Sequence, residues 1–418
     1  MGFKILHTSD WHLGARLMSK ERDEEQKMFL DFLIETVQEN CIDLLIVAGD
    51  IFDNGMPSNS ARKMYYSFLT RLLHTCCKHV VIIGGNHDSP AMLEAPKEVL
   101  SILNVHVVGS VASDEEGQID YDNEIIEIKN EADKLQAVIA AVPYLRDRDI
   151  MKAVAGQEYS DRIEAMRNGM KEHYSIMAQK IKKYSDVPCI ATGHLFAQNT
   201  ILSDNASRQE GENDIHIGNL VQIDMSAFYQ QFSYLALGHI HKPQILGGKP
   251  NVRYSGSPIK MSFSEINDRK ILLLVEFDGF QMESVTEIEI PAFRTIQKFK
   301  GNLENVTKMM ENFENKQGLN AWGEIVFTDY LASSEVDLIK ELALEKDLEI
   351  LKYSIQFKKR VDGEDDSREN EAKTLSELSE MDIFKMRCKA ENLEESEIEE
   401  LVNSFNELKS WILEVDLK

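Results

Sequence analysis

With 418 residues, 43% of them hydrophobic and only nine prolines, the chain has the composition of a globular protein of two or three domains. Its 71 acidic and 46 basic side chains leave a net charge of −25, which excludes a broad basic surface for nucleic acid. No apolar stretch reaches the roughly 18–20 residues of a membrane span, so no membrane partner is expected.

The chain opens on a strand-like run, Phe3-Lys4-Ile5-Leu6-His7-Thr8-Ser9, which stops at Asp10-Trp11-His12. That opening lacks the basic region and apolar core of a signal peptide, and Leu6 stands where a myristoylation signal needs Ser or Thr. Residues 23–40 then carry Met28, Phe29, Phe32, Leu33 and Val37 at helical spacing. A second run, 43–49, ends in Asp50-Ile51-Phe52-Asp53, and residues 60–76 repeat the helical stripe with Met64, Phe68, Leu69, Leu72 and Leu73. The third run, Val80-Val81-Ile82-Ile83, meets Gly84-Gly85 and then Asn86-His87-Asp88. A continuous β-branched run of this kind suits a strand buried on both faces, and ligands collect beyond the carboxyl ends of such strands.

Residues 159–184 read as a helix with a thin stripe (Ile163, Met166, Met170, Ile176, Ile181), expected at the surface. Two further runs, 188–193 and 233–238, end in His194 and in His239-Ile240-His241. Between them, 196–218 is polar and irregular, long enough for a functional or mobile loop. Tyr254-Ser255-Gly256-Ser257-Pro258 reads as a tight turn after a short strand. The alternation of strands and helices predicts an α/β domain over residues 1–280.

Near residue 290 the pattern changes. Strands at 295–300, 322–328 and 350–357 alternate with helices at 303–313 and 335–344, a small α/β domain over 285–360. Residues 362–374 are almost wholly polar, as in a flexible linker. From 375 to 418, Ile398, Leu401, Val402, Phe405, Leu408, Ile412 and Val415 repeat at helical spacing, as a partner-binding helix or one packed on its own chain. Residues 362–418 hold 18 acidic and 7 basic side chains, so this tail does not attract DNA. The five cysteines (Cys41, Cys76, Cys77, Cys189, Cys388) form no CxxC pair; three of them sit in or beside apolar segments, so buried free thiols in a reducing cytoplasm are the reading.

Any one strand ending in polar residues is read equally well as a solvated turn. Five such runs, each closed by carboxylate, imidazole or amide, point to one site. The absence of a nearby thiolate favours manganese, iron or magnesium over structural zinc. So many donors imply two ions, and two dications about 3.5–4 Å apart need an anion between them, for which Asp50 is the candidate.

Asp10-x-His12, Gly49-Asp50-x-x-Asp53, Gly85-Asn86-His87-Asp88, Gly193-His194 and Gly238-His239-x-His241 resemble, in order, the five motifs of the calcineurin-like metallophosphoesterases. The residues around Asp10 and Asp50, the 254–258 turn and the small second domain narrow the resemblance to DNA-repair nucleases of that family. It implies a β-sandwich flanked by helices, a DNA-capping domain and C-terminal helices. It assigns one metal to Asp10, His12, Asp50 and His241, and the other to Asp50, Asn86, His194 and His239. His87 would act on the transition state or leaving alkoxide, Asp88 would orient its ring, and Asp53 would stand behind the ligands. His7, His74, His79, His106, His173 and His216 are expected to be structural or exposed.

The implied activity is a manganese-dependent DNA phosphodiesterase for repair, recombination and replication: a 3′–5′ exonuclease on double-stranded ends and an endonuclease on hairpins and single strands. The implied partners are DNA, an ATPase subunit and a second copy in a homodimer. The same motifs would equally serve a phosphoesterase for a small nucleotide or a phosphoprotein, which has no need of a capping domain or tail helix. A scaffold with a dead site is disfavoured by the complete ligand set.

Overall fold

In the computed structural model, which describes residues 2–150, 159–197, 200–202, 231–329, 333–355 and 401–402, each of the five apolar runs becomes a strand. Phe3–Thr8, Leu44–Ala48 and His79–Ile83 lie side by side and parallel. They form the centre of a six-stranded sheet, closed on one edge by Val105–Val108 and on the other by the antiparallel pair Ile271–Asp278 and Gln281–Glu289. Cys189–His194 and Tyr234–Gly238 pair in parallel at the centre of a second six-stranded sheet.

Side-chain alternation along these strands dictates the layering. Ile5, Leu44, Ile46, Val81 and Ile83 point one way and meet Ala137, Ile139, Ile190, Tyr234 and Ala236 of the second sheet in a dry inter-sheet core. Leu6, Leu45, Val47, Val80 and Ile82 point the other way, onto the helices Asp23–Asn40 and Asn59–Leu72. The first of these helices has Asp23, Glu24 and Glu25 in its first turn and ends at Cys41 in the left-handed region. The second is N-capped by Ser58, whose hydroxyl accepts from the Ala61 N–H at 3.1 Å.

The helix Tyr159–Ile181 covers the outer face of the second sheet, where a surface position was expected. Met166, Met170, Tyr174, Met177, Ala178 and Ile181 are buried, a wider stripe than the aliphatic residues alone reveal. His173 on the same helix is buried against Glu124, with Nε2 2.7 Å from Oε2. The order helix–sheet–sheet–helix is a β-sandwich flanked by helices.

The chain divides into two compact units, Met1–Phe293 and Arg294–Lys418. The hairpin strand Gln281–Glu289 belongs to the first sheet, so the first unit runs past the expected boundary at 280–285. Among its described residues the second unit has three parallel strands, Ile296–Gly301, Ala321–Phe327 and Leu348–Ile355, alternating with helices Leu303–Glu311 and Ser333–Glu345. Phe299, Val306, Met310, Ile325, Phe327 and Ile339 make its core.

The polar 196–218 stretch falls largely outside the described residues, as do the 362–374 linker and, except for Leu401 and Val402, the 375–418 segment. Among described residues the cysteines are free thiols, with Cys77 buried, Cys76 and Cys189 half-buried and Cys41 exposed, so burial holds for only some of them. No helix among the described residues is long and apolar enough to cross a membrane.

Candidate metal centre

The carboxyl ends of the central strands of both sheets meet, and each delivers its motif there. In Asp10-Trp11-His12 the middle residue is the anchor. Trp11 is buried edge-on against Phe29 and Phe68, with its indole N–H on Thr8 Oγ1 at 3.1 Å. With Trp11 turned into the core, Asp10 and His12 face the opposite way. His239-Ile240-His241 repeats the device, with Ile240 in the core under the second sheet.

Four residues of the cluster, Asp10, His12, Asp50 and His239, have φ between 44° and 94°, a region costly to side chains with a Cβ and concentrated at functional sites. Backbone hydrogen bonds hold this shape: Asp10 N to Gly49 O and His12 N to Asp50 O, each at 3.0 Å. Glycine is required at Gly85, where a Cβ would lie on the Asp50 carboxylate and its backbone N–H.

Asp50 sits in the middle. Its Oδ1 accepts the His87 backbone N–H at 2.9 Å, while Oδ2 lies 3.1 Å from His194 Nε2 and 3.6 Å from His12 Nε2. On one side, His12 Nε2 and His241 Nε2 approach to 3.2 Å, and Asp10 completes a cluster with them. On the other, Asn86 Oδ1 is 2.9 Å from His194 Nε2 and 3.1 Å from His239 Nδ1. The Ala48 carbonyl only accepts, so His194 Nδ1 at 2.9 Å is the donor and Nε2 is the nitrogen turned to the site.

The electrostatics describe a place that demands cations. Burial works against charge on His12, but Asp53, Asp50 and Asp10 outweigh it and hold the imidazole at about 9. Burial is likewise overcome at His194, held at about 9 by Asp50 and Asp10. Despite its burial, Asp50 is kept well below the usual carboxylate range by His194 and His12. His239 goes the other way, pushed down to about 3 by burial and then by His194. Imidazole nitrogens facing each other across buried carboxylates fit divalent cations: the protons they hold occupy the positions a metal would take.

His87 is half-buried and its Nδ1 donates to the Asp53 carbonyl at 2.7 Å. Asp88, expected to orient that ring, instead accepts three backbone N–H groups, from Ile51 (3.1 Å), Phe52 (3.0 Å) and Gly85 (2.9 Å). It ties the Asp50 loop to the Asn86 loop, and the backbone of Asp53 orients His87. The Asp53 carboxylate lies 3.6 Å from His12 Nδ1, behind the ring.

Several residues that hold the site went unnoticed in the sequence. Gln26 grips the first motif with both ends of its amide, accepting from Gly14 N at 3.0 Å and donating to His12 O at 2.7 Å. Ser9 Oγ donates to Asp10 and lies 2.8 Å from Ser255 Oγ, linking the 254–258 turn to the centre. Arg146 donates to Asp88 O at 3.1 Å. Glu265 stands 3.1 Å behind His241 Nδ1. The turn that holds Ser255 stands out in the sequence; Gln26, Arg146 and Glu265 carry no such signal.

A family model described as calcineurin-like phosphoesterase matches residues 3–243, and one described as Type 5 capsule protein repressor C-terminal domain matches 292–392. SbcD, the D component of the nuclease SbcCD, is 35% identical in its Escherichia coli K12 form over 411 residues, 96% of each chain. Its namesake from Rhodobacter capsulatus is 35% identical over 276 residues, 65% of this chain and 66% of that one. The Bacillus subtilis protein of the same name is 25% identical over 423 residues, 99% of this chain and all of its own. A two-sheet sandwich with these motifs at its strand ends, matched over more than half its length, belongs to the calcineurin-like phosphoesterases, in the family of the SbcD nucleases.

Proposed function

We propose that the chain is the nuclease subunit of an SbcCD-type complex, a metal-dependent DNA phosphodiesterase that works with an SbcC-type ATPase in repair, recombination and replication. The observation that carries this is the position of Asp50 Oδ2, within 3.1 Å of His194 Nε2 and 3.6 Å of His12 Nε2. These two imidazoles belong to different metal positions in the proposed assignment, so the Asp50 carboxylate would serve both. Asp10, His12, Asp50 and His241 would hold one ion, and Asp50, Asn86, His194 and His239 the other. Oxygen and imidazole donors with no thiolate favour manganese, iron or magnesium over structural zinc, and manganese is the ion proposed. The bound pair supplies positive charge that neutralises the phosphodiester and makes water a nucleophile at neutral pH.

The protein's own groups do the rest. With Nδ1 committed to the Asp53 carbonyl, His87 meets the substrate through Nε2, from which it gives a proton to the leaving alkoxide. Asp88 and Arg146 hold the loop that carries it. Against a net charge of −25, DNA is drawn to the metals and to local contacts within residues 294–360 of the second unit. The relatives' shared name supports the assembly; homodimerisation, 3′–5′ polarity on duplex ends, cleavage of hairpins and single strands, and a cytoplasmic location complete the reading.

The test is a hairpin duplex and a blunt duplex incubated with the protein and manganese, with and without the ATPase subunit and ATP. Cleavage that requires the metal and is stimulated by the partner is expected. Hydrolysis of small phosphodiesters with no cleavage of either DNA would overturn the reading in favour of a small-substrate phosphoesterase.

A further inference from the structure

Behind the metal centre lies a buried ion pair that the two-metal reading does not use. Glu265 and Lys270 are 4% and 6% exposed. The two oxygens of Glu265 are divided between tasks. Oε1 faces His241 Nδ1 at 3.1 Å; Oε2 accepts from Lys270 Nζ at 2.6 Å and from the Met261 backbone N–H at 3.0 Å. Lys270 Nζ also donates to the His241 carbonyl at 3.1 Å and to Ser257 Oγ at 2.9 Å. One residue, His241, is thus held at its ring and at its backbone by the same pair.

An ammonium 2.6 Å away keeps the carboxylate charged, and a carboxylate can only accept. The proton therefore sits on His241 Nδ1, and the lone pair sits on Nε2, the atom 3.2 Å from His12 Nε2. Carboxylates placed behind metal-binding imidazoles fix the tautomer and raise ligand basicity, and removing them typically weakens metal binding by about 10–100-fold. Among the described residues, His241 is the one proposed histidine ligand with a carboxylate oxygen within hydrogen-bond distance of its remote nitrogen. His194 relies on a carbonyl, and Asp53 stands 3.6 Å from His12.

We infer that Glu265, locked by Lys270, is a positioning residue for one of the two metal positions, that of Asp10, His12, Asp50 and His241. The inference rests on the two-metal reading above. It makes the two positions unequal in what they need: the first depends on a charged pair carried by residues 265–270, and the second does not.

The experiment uses the full chain, stripped with chelator and titrated with manganese alone, with bound ions counted by electron paramagnetic resonance. The parent should take up two ions and give a spin-coupled signal. Glu265→Gln should weaken one ion by roughly 10–100-fold, leave the other unchanged and replace the coupled signal with that of an isolated ion. Glu265→Asp, which restores charge one methylene short, should recover part of the loss. The paired variant Glu265→Gln/Lys270→Met removes the stranded ammonium and supplies a folded protein if the single variant melts; it too should lose one ion selectively. Two ions bound at parental affinity in the paired variant would overturn the inference. So would equal weakening of both ions in step with a lowered melting temperature. A parent that takes up fewer than two ions fails the two-metal reading itself, and the inference with it.

Discussion

Replacing Asp88 with asparagine separates a loop brace from a ring-orienting catalytic group. The carboxylate accepts N–H groups from Ile51 and Gly85 on Oδ2 and from Phe52 on Oδ1, and it is 3% exposed. Burial and then the charge of Asp50 push its pKa up to about 6, while the three donors pull it down, so the carboxylate form is compared at pH 8. An asparagine keeps one oxygen. Its best orientation gives that oxygen to Ile51 and Gly85 and turns the amide NH2 against the Phe52 N–H, leaving at least that buried donor unpaired. Each such orphan costs about 1–3 kcal/mol. In a domain of this size 1 kcal/mol lowers the melting temperature by roughly 2–4 °C, so a fall of about 2–12 °C is expected. Asp88→Leu leaves all three donors unpaired, for about 3–9 kcal/mol on the same scale. Calorimetry of the metal-free variants at pH 8 is the assay. If Asp88→Asn melts within a degree of the parent while turnover drops about a hundredfold, the residue orients His87 and the brace is refuted.

Four other outcomes follow from the same geometry. Asp50→Asn reduces the charge of the oxygen that both positions share and should strip both ions; near-normal content of two ions by elemental analysis removes Asp50 as the bridge. His87→Ala should keep its metal and lose about 10²–10⁴-fold in turnover, whereas equal loss of metal would make His87 a ligand. Metal uptake should release protons: His12 and His194, held at about 9 without metal, must be neutral to bind. Both values are raised above 6.5, so the stability these groups add to the metal-free protein is complete below about 6.5 and lost through about 9. Each ion's affinity should accordingly rise roughly tenfold per pH unit across that window, measured by calorimetry in two buffers; flat affinity would contradict it. Truncation at Asp362 should leave metal uptake and small-substrate hydrolysis intact and abolish co-purification with the ATPase; full-strength capture would mean the tail packs on its own chain.

The strands were legible because they are buried on both faces. Leu44–Ala48 and Val80–Ile83 show unbroken apolar runs, since one set of side chains enters the inter-sheet core and the other the helix layer. The helix Tyr159–Ile181 was misplaced for a related reason. Its buried face also takes in Tyr174 and His173, and amphipathic side chains drop out of a stripe counted on aliphatic residues and methionines. The hairpin at 281–289 has an alternating, half-exposed pattern typical of an edge strand, and only its pairing with Ile271–Asp278 shows which unit owns it.

At the site, legibility follows distance along the chain. Asp10, Asp50, Asn86 and His239 stand within two or three residues of a strand end, so the strand announces them. Their supports do not. Gln26 grips His12 from the first turn of a helix, and Glu265 reaches His241 from 24 positions away through a short 3₁₀ turn. A buried hydrogen bond needs a donor and acceptor to meet in space, and no periodicity relates partners on different elements. Asp88 shows the converse hazard. Its place beside His87 in the sequence invited a role on the imidazole, yet its oxygens turn back to Ile51 and Phe52, whose N–H groups have no strand partner there. The backbone's own demand for acceptors captured the carboxylate, and the carbonyl of Asp53 took over the histidine.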